Sequence, residues 1–342
     1  MNNKINIKSL SKKELLGYVQ EHGLPRYRAQ QLIHWIYQKY AAAIEDITEF
    51  SKDLRKKLSE KAYISNLGLV RRLHSSDGSE KFLFSLEDGN RIESVLIPDE
   101  NRLTLCISSQ VGCAMGCRFC MTGGGGFIRN LEAHEIVDQI IAVNRIIQPR
   151  KVTNVVFMGM GEPFANFDAV VEALWRVLVF IGISKRKITV STAGIVPEII
   201  LFSKKAPQVN LAVSLNAATD EVRSVLMPVN RRYPLKSLIG ACKKFPLQPA
   251  RKITFEYVMI GDRNDSPEDA GKLVKLIKGL RCKVNIIPFN PFPGTELLRP
   301  PDNRMLSFQN ILRRGGVRAL IRESRGLDIQ AACGQLRASA DR

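Results

Sequence analysis

Residues 8–63 carry their apolar positions at helical spacing. Ser11 stands three residues before Glu14, the separation of a capping box. Leu15 and Val19 follow one turn apart, before Gly23, Leu24 and Pro25 end this first helix. A second helix, over 28–40, sets Leu32, Ile33, Ile36 and Tyr37 on one face with Trp35 beside it, and a third, over 51–61, is short and highly charged. From about Val70 to Pro98 the period drops to two. Lys81-Phe82-Leu83-Phe84-Ser85, a turn at Asp88-Gly89-Asn90 and then Ile92 to Ile97 predict a β-hairpin, with Glu93 held in a fixed direction on its second strand.

After Asn101 apolar runs alternate with helical periodicity. Strands are predicted over 103–108, 154–160, 187–191, 209–215, 252–260, 283–288 and 317–321, with helices between them, for example over 132–147, 167–181 and 266–280. Strands separated by helices imply parallel β/α units. About six such units predict an α/β fold, a complete or partial barrel whose active site lies at the C-terminal ends of the strands. On this pattern the chain divides into a small N-terminal helical domain (1–69), a β-hairpin linker carrying Glu93 (70–100) and the barrel (101–342). With 45% hydrophobic and 25% charged residues, wholesale disorder is excluded. No stretch approaches the roughly 20 apolar residues of a bilayer crossing, and Met1-Asn2-Asn3-Lys4 opens no apolar secretory segment. A soluble, cytoplasmic protein is expected.

Charge sharpens the expectation. Lys and Arg number 51 against 33 Asp and Glu, a formal charge of +18, and a balance this basic points to a polyanionic partner, most commonly nucleic acid. The excess is spread along the chain, and residues 1–75 already hold 14 basic against 7 acidic residues. Arg26, Arg28, Lys56 and Lys57 on the N-terminal helices are candidate phosphate ligands, ordinary solvation being the alternative for each.

The seven cysteines are an odd number in a chain without an export signal, which argues against a disulfide framework. Cys106, Cys113, Cys117 and Cys120 are bunched, whereas Cys242, Cys282 and Cys333 are scattered; Cys242 and Cys282 lie in no motif and are assigned to packing. Cys113-Ala114-Met115-Gly116-Cys117-Arg118-Phe119-Cys120 sets three thiols at C-x3-C-x2-C spacing just past a strand. An iron–sulfur cubane normally takes four protein thiolates; three leave one iron open, as a reactive site requires. A zinc site with Cys106 or His134 as fourth ligand is the alternative, but zinc favours paired C-x2-C knuckles and no second one follows.

This motif, with Phe119 before its last cysteine, resembles the radical S-adenosylmethionine (SAM) superfamily. The resemblance implies a barrel of six β/α units, a [4Fe–4S] cluster on Cys113, Cys117 and Cys120, and an open iron that binds SAM and cleaves it reductively to a 5′-deoxyadenosyl radical. Further motifs resemble one branch of it. They are Arg91-Ile92-Glu93-Ser94-Val95, the run from Thr104 through Cys106 to Cys113, Gly126-Phe127-Ile128-Arg129-Asn130-Leu131, and Gly159-Met160-Gly161-Glu162-Pro163. Downstream lie Ser191-Thr192-Ala193-Gly194, Ser214-Leu215-Asn216-Ala217, the run from Ile287 through Asn290 to Gly294, and Ala331-Ala332-Cys333-Gly334-Gln335-Leu336. Over 8–337 the chain resembles the RlmN family of dual-specificity 23S rRNA and tRNA adenine 2-methyltransferases.

That resemblance implies SAM contacts at Gly161, Glu162, Ser191, Ser214, Leu215, Asn216 and Asn290. It also implies a route around an electron-poor ring carbon. SAM methylates Cys333, a second SAM yields the radical that takes a hydrogen atom from the S-methyl group, and the methylene radical adds to carbon 2 of the adenine. Glu93 is the implied proton acceptor. Cys106 is implied to attack Cys333, forming a transient disulfide that frees the product and is reset by cellular reductant. The implied partners are 23S rRNA, tRNA and an external electron donor for the cluster, with a monomeric protein and no membrane. The target base must leave its stack to reach Cys333, and the basic N-terminal helices would grip the RNA backbone.

Two features depart from the pattern: four glycines at 123–126, where the family usually has polar residues, and a tail of only six residues after Leu336. Two alternatives remain. A Cfr-like enzyme methylates adenine at carbon 8 with the same cysteines, but Pro163 after Gly161-Glu162 and the Asn290-Pro291-Phe292-Pro293 run favour RlmN. A non-catalytic iron–sulfur or zinc RNA-binding protein would leave Cys106, Cys333 and Glu93 without a shared purpose.

Overall fold

Ten strands form one sheet whose spatial order follows the sequence: β1 (Gly68–His74), β2 (Glu80–Ser85), β3 (Arg91–Asp99), β4 (Arg102–Cys106), β5 (Asn154–Phe157), β6 (Ile188–Thr192), β7 (Asn210–Ser214), β8 (Ile253–Met259), β9 (Cys282–Pro288) and β10 (Arg318–Ile321). The structure, a computed structural model, describes residues 4–338; the chain start at 1–3 and the end of the short tail at 339–342 lie outside it. β1 to β4 pair antiparallel and β4 to β10 pair parallel. Helices carry the chain between parallel strands: α4 (Ala133–Ile146), α5 (Phe167–Arg176), α6 (Val196–Lys205), α7 (Asp220–Leu226) with α8 (Leu235–Lys244), α9 (Pro267–Leu276) and α10 (Asp302–Arg314). That makes six crossovers, and β10 is not bonded to β1, so the barrel is partial, as expected.

Period-two alternation divides the work between the two faces of the sheet. Val155, Phe157, Val190, Leu211, Phe255 and Val284 are buried against the helices in one continuous apolar core. The pairing register sets a different row on the opposite face. Glu93 and Val95 on β3, Cys106 on β4, Ser191 on β6, Ser214 on β7, Glu256 on β8 and Asn285 on β9 all share the inner side.

The N-terminal unit contains α1 (Lys12–Glu21), α2 (Tyr27–Tyr37) and α3 (Lys52–Lys61). Both halves of the expected capping box form, Glu14 N donating to Ser11 Oγ at 3.3 Å and Ser11 N to Glu14 Oε2 at 2.7 Å. The unit is fastened to the barrel helices by buried charge. Lys8, 1% exposed, donates to the Ser65 carbonyl at 2.6 Å. Its Nζ also lies 2.8 Å from Asp138 Oδ1 on α4, an ion pair by distance whose angle falls short of a hydrogen bond. Arg176 of α5 reaches back to the Lys8 carbonyl at 2.6 Å.

Several boundaries differ from expectation for physical reasons. The period-two stretch beginning near Val70 contains β1, which received no bounds of its own because it is an edge strand, exposed along most of its length and bulged between Leu69 and Arg71. The expected hairpin is the rest of this meander, and β3 is hydrogen-bonded directly to β4 of the barrel sheet rather than standing apart. β5 stops at Phe157 instead of 160, because Gly159 N turns to the Ile107 carbonyl at 3.0 Å. The helix expected to 181 ends at Arg176 and widens into a π turn, Val177–Ile181. Among the described residues no helix is long and apolar enough to cross a membrane.

Removing one member of a buried ion pair leaves the other charge uncompensated. Lys8→Ala is therefore expected to lower the free energy of urea unfolding by about 3–5 kcal/mol. The double variant Lys8→Met with Asp138→Leu should recover most of that loss.

Candidate active site

The cysteine loop lies between two short antiparallel strands after β4, Gln110–Gly112 and Phe127–Asn130. Cys113 N donates to the Gly126 carbonyl at 2.7 Å and Cys120 N to the Cys117 carbonyl at 3.1 Å, so the backbone shapes a tight loop around the three sulfurs. Burial pushes the Cys113 thiol up to about 12, the charges of Glu162 and Cys120 adding to it. Cys117 is raised by burial first and then by Cys120, Cys113 and Glu162, with Arg223 opposing. Cys113 and Cys117 thus both feel Cys120 and one carboxylate, Glu162, in a crowded, partly covered loop. Thiolates are costly there unless a positively charged group holds them, so the donor set fits an iron–sulfur cluster. Among the described residues no three His, Cys, Asp or Glu side chains converge as ligands of one ion do. Thiolates on a single zinc would stand about 3.8 Å apart, from bonds of about 2.3 Å, whereas those on different irons of a cluster need not. The His134 ring is engaged instead with Asn6 and Glu132.

Behind the loop, the turn after β5 is locked. Gly161 adopts φ +97°, and a Cβ there would lie 2.5 Å from Gln110 Cβ. Glu162 N donates to Gln110 Oε1 at 2.8 Å. The Glu162 carboxylate is buried, accepting from Phe164 N at 3.0 Å through Oε1 and from Ala193 N at 2.6 Å through Oε2. Burial raises its pKa, and these donors partly offset the rise. One carboxylate therefore ties the end of β5 to the end of β6, two residues past Ser191.

Arg223, on α7, is a residue that sequence reasoning missed. Fully buried, it donates to the carbonyls of Ala193 (2.7 Å), Ser214 (3.1 Å) and Leu215 (2.9 Å) and to Asn230 Oδ1 (2.8 Å). Burial lowers its pKa to about 10. It braces the ends of β6 and β7 and sets a positive charge near Cys117. An arginine on a short polar helix carries no signal for this, since the carbonyls it binds are distant in sequence. Asn216, at φ +58°, is equally engaged: its Oδ1 accepts from Val258 N at 2.8 Å and its Nδ2 approaches Met227 Sδ at 3.1 Å.

The segment bearing Cys333 closes the site. Asn290, after β9, donates from Nδ2 to the Cys333 carbonyl at 3.2 Å. Gly334 has φ +86°, and a Cβ there would meet the Phe119 carbonyl oxygen at 2.7 Å; its own carbonyl accepts from Met121 N at 2.7 Å. Only glycine lets this chain lie against the cysteine loop. Cys106, at the end of β4, is buried in a small apolar cluster with Val95, Met160, Ala331 and Leu336. Its thiol is raised by burial and then by the charge of Cys333, so the two sulfurs are electrostatic neighbours, and both are free thiols. Cys333 is open to solvent, yet burial is the first cause raising its thiol, ahead of Glu256. Both follow if it lies in a concavity, crowded by protein and accessible from one side.

Glu93 projects inward beside this segment. Its Oε2 accepts from Arg337 N at 2.8 Å and its Oε1 lies 3.3 Å from Lys81 Nζ. A cavity of about 220 Å³ opens next to it, lined by Arg71, Lys81, Asp328, Ile329 and Gln330 among others. Glu256 on β8 is buried, takes a hydrogen bond from Asn285 Nδ2 at 3.0 Å and has its pKa raised by burial to about 6. Three sulfur donors, a second sulfur pair and a carboxylate thus share one rim. Cys242 and Cys282 sit in the apolar core. Of the basic N-terminal candidates, Arg26, Lys56 and Lys57 are exposed. Arg28 is half-buried, its guanidinium 5.1 Å from the ring centres of both Tyr27 and Phe50, so it packs more than it reaches out.

Comparison with known proteins covers the whole of this architecture. A family model described as the Radical SAM superfamily matches residues 107–277, and one described as the ribosomal RNA large subunit methyltransferase N-terminal domain matches residues 5–64. The chain is similar to proteins named dual-specificity RNA methyltransferase RlmN. One from Pelobacter propionicus is 50% identical, covering 100% of this chain and 98% of its own. One from Geotalea uraniireducens is 51% identical, covering 99% and 98%. A crystal structure of a radical SAM methyltransferase from Sphaerobacter thermophilus superposes with a TM-score of 0.94 at 44% identity, over 98% of this chain and 100% of that one.

Glu256 makes stability depend on pH in a definite direction. Its folded pKa of about 6 lies above the ordinary 4.5, so the folded state holds the proton more tightly than the unfolded chain. The resulting stabilisation is complete below the unfolded value and is lost as pH rises through the folded one. Relative to Glu256→Gln, the native protein should lose about 2 kcal/mol of unfolding free energy between pH 4 and 7. Parallel urea titrations of both proteins measure the difference.

Proposed function

This chain belongs to the RlmN family within the radical SAM superfamily, and from that premise we propose that it is a dual-specificity RNA methyltransferase acting on carbon 2 of adenosine in 23S rRNA and in tRNA. What carries the proposal is the convergence of Cys333, Cys106 and Glu93 beside a loop of three cysteines. Neither an electron carrier nor a binding module needs that combination. The cluster would be held by Cys113, Cys117 and Cys120, and SAM by Gly161, Glu162, Ser191, Ser214, Leu215, Asn216 and Asn290. Bound there, they supply a methyl group and a hydrogen-abstracting carbon radical. An external donor supplies electrons in a cytoplasmic setting, and exposed basic residues such as Arg26, Lys56 and Lys57 bind RNA phosphates.

The residues divide the work as follows. The Cys333 thiol gives up its proton and its sulfur takes a methyl group. Loss of a hydrogen atom from that methyl lets its carbon bond to carbon 2 of the adenine, joining protein and RNA. To restore the ring, the adduct radical returns one electron to the oxidised form of the external donor and loses the proton originally on carbon 2, which Glu93 accepts. Cys106, as thiolate, then attacks Cys333 Sγ. The sulfur–sulfur bond forms as the carbon–sulfur bond breaks, and the released carbon takes up a proton to become the methyl group. A cellular thiol reduces the disulfide for the next cycle.

Anaerobic reconstitution with iron and sulfide, turnover with SAM and total RNA, and nucleoside analysis test this directly. 2-Methyladenosine is expected, and an 8-methyl product would overturn the assignment. Cys333→Ala should abolish methyl transfer while retaining iron and RNA binding. Cys106→Ala should instead accumulate a covalent protein–RNA conjugate visible on a denaturing gel. Normal product yield from either variant would remove that residue from the scheme.

A further inference from the structure

We propose that Lys81 is a positioning residue of this reaction, holding the proton acceptor Glu93 and the segment that carries Cys333 in one arrangement. The proposal rests on the assignment of Glu93 above. Lys81 projects inward from β2, diagonal to Glu93 on β3, since Lys81 pairs with Val95 and Leu83 with Glu93. Both are buried, Lys81 at 9% and Glu93 at 6% exposure. One ammonium serves two acceptors, lying 3.3 Å from Glu93 Oε1 and donating to the Gln330 carbonyl at 3.1 Å. The other oxygen of Glu93 accepts from Arg337 N at 2.8 Å. The chain is therefore gripped three residues before Cys333 by one partner of the ion pair and four residues after it by the other.

A buried lysine in a strand that also presents Phe82, Leu83 and Phe84 is costly, and an apolar residue would pack there at less expense. A compact ammonium with several donors can hold a carboxylate and a carbonyl together, which a neutral side chain cannot. The charged groups facing Glu93 are few. Lys81 comes from β2, and Arg71 of β1 and Asp328 of the C-terminal segment line the same cavity. Loss of the ammonium would leave a buried carboxylate without its close counter-charge and without the contact that fixes its Oε1. It would also release Gln330. Both effects fall on the step that needs Glu93 as a base, which follows formation of the protein–RNA adduct.

The test uses cluster-loaded full-length protein carrying Lys81→Gln or Lys81→Arg, with methyl loading and RNA release assayed separately. The Lys81→Gln variant is expected to hold normal iron and to load methyl onto Cys333, detected by mass spectrometry, as the parent does. Release of methylated RNA should fall about tenfold at pH 7, with conjugate accumulating, because the carboxylate and the Cys333 segment lose their common anchor. Lys81→Arg keeps the charge and should return release towards that of the parent. Unchanged release in Lys81→Gln would overturn the proposal. So would loss of methyl loading at normal iron content, which would make Lys81 a fold residue for the Cys333 segment alone. If the parent protein itself formed no methyl-Cys333, the failure would belong to the assigned reaction and not to Lys81.

Discussion

A strand has two faces, and a parallel sheet lined with helices on one side needs only one of them for its core. Here the outward face spends its β-branched and aromatic residues against α4 to α10, so the inward face is free of that duty. Glu93, Cys106, Ser191, Ser214, Glu256 and Asn285 occupy it in unbroken register from β3 to β9. A slip of one residue in any strand would send its polar group into the helical layer and an apolar one into the interior. The chemistry is therefore held by the same hydrophobic patterning that holds the fold. The antiparallel meander extends this arrangement. Because β3 bonds to β4, the carboxylate of Glu93 is carried on the barrel's own sheet.

The site is costly to build. Cys113, Cys117, Cys106 and Cys333 are all surroundings in which a thiolate is disfavoured, and Arg223, Glu162 and Lys81 are charges taken out of water. The charges are answered by fixed partners: carbonyls for Arg223, backbone N–H groups for Glu162, and a carboxylate with a carbonyl for Lys81. Such partners are in place without a ligand, which is the condition for electrostatic preorganisation. The cysteine loop is the exception. Cys113 and Cys117 face Cys120 and Glu162, which disfavour their thiolates, and are opposed by the Met115 backbone and the Arg223 guanidinium, a balance that a cation-rich group would complete.

What was legible in the sequence is what depends on short range. The cysteine loop, the capping box at Ser11 and Glu14, the parallel strands and the glycine-bounded turn at Gly161 are encoded by spacing over a few residues. The residues missed act across long separations. Arg223 joins the turns after β6 and β7, Lys81 reaches Gln330, and Gln110 receives Glu162 N. None of these partners can be read from a local pattern. Edge strand β1 had no legible bounds because it is exposed along most of its length, so no buried face marks its ends. The surroundings of Arg28 were not legible either, because the Phe50 ring beside its guanidinium comes from a different segment than Tyr27. Motif resemblance supplied roles for Glu93, Cys106 and Cys333 that spacing alone could not, since they lie on three separate segments.

The coupling between Cys106 and Cys333 bears on the order of events. Each sulfur lies where a thiolate is disfavoured by burial, and the charge of Cys333 raises Cys106 further. Two thiolates side by side would repel, so at most one of the pair ionises readily. On the proposed route, Cys333 is the one open to solvent and to a methyl donor, while Cys106 is shielded by Val95, Met160, Ala331 and Leu336. Burial is the larger restraint on Cys106, and alkylation of Cys333 removes only the smaller one, its charge. On that route the first sulfur therefore ceases to oppose ionisation of the second at the stage when a nucleophile is needed to release the RNA. A disulfide in the resting pair would need an oxidant to take two electrons, and burial holds both sulfurs as thiols.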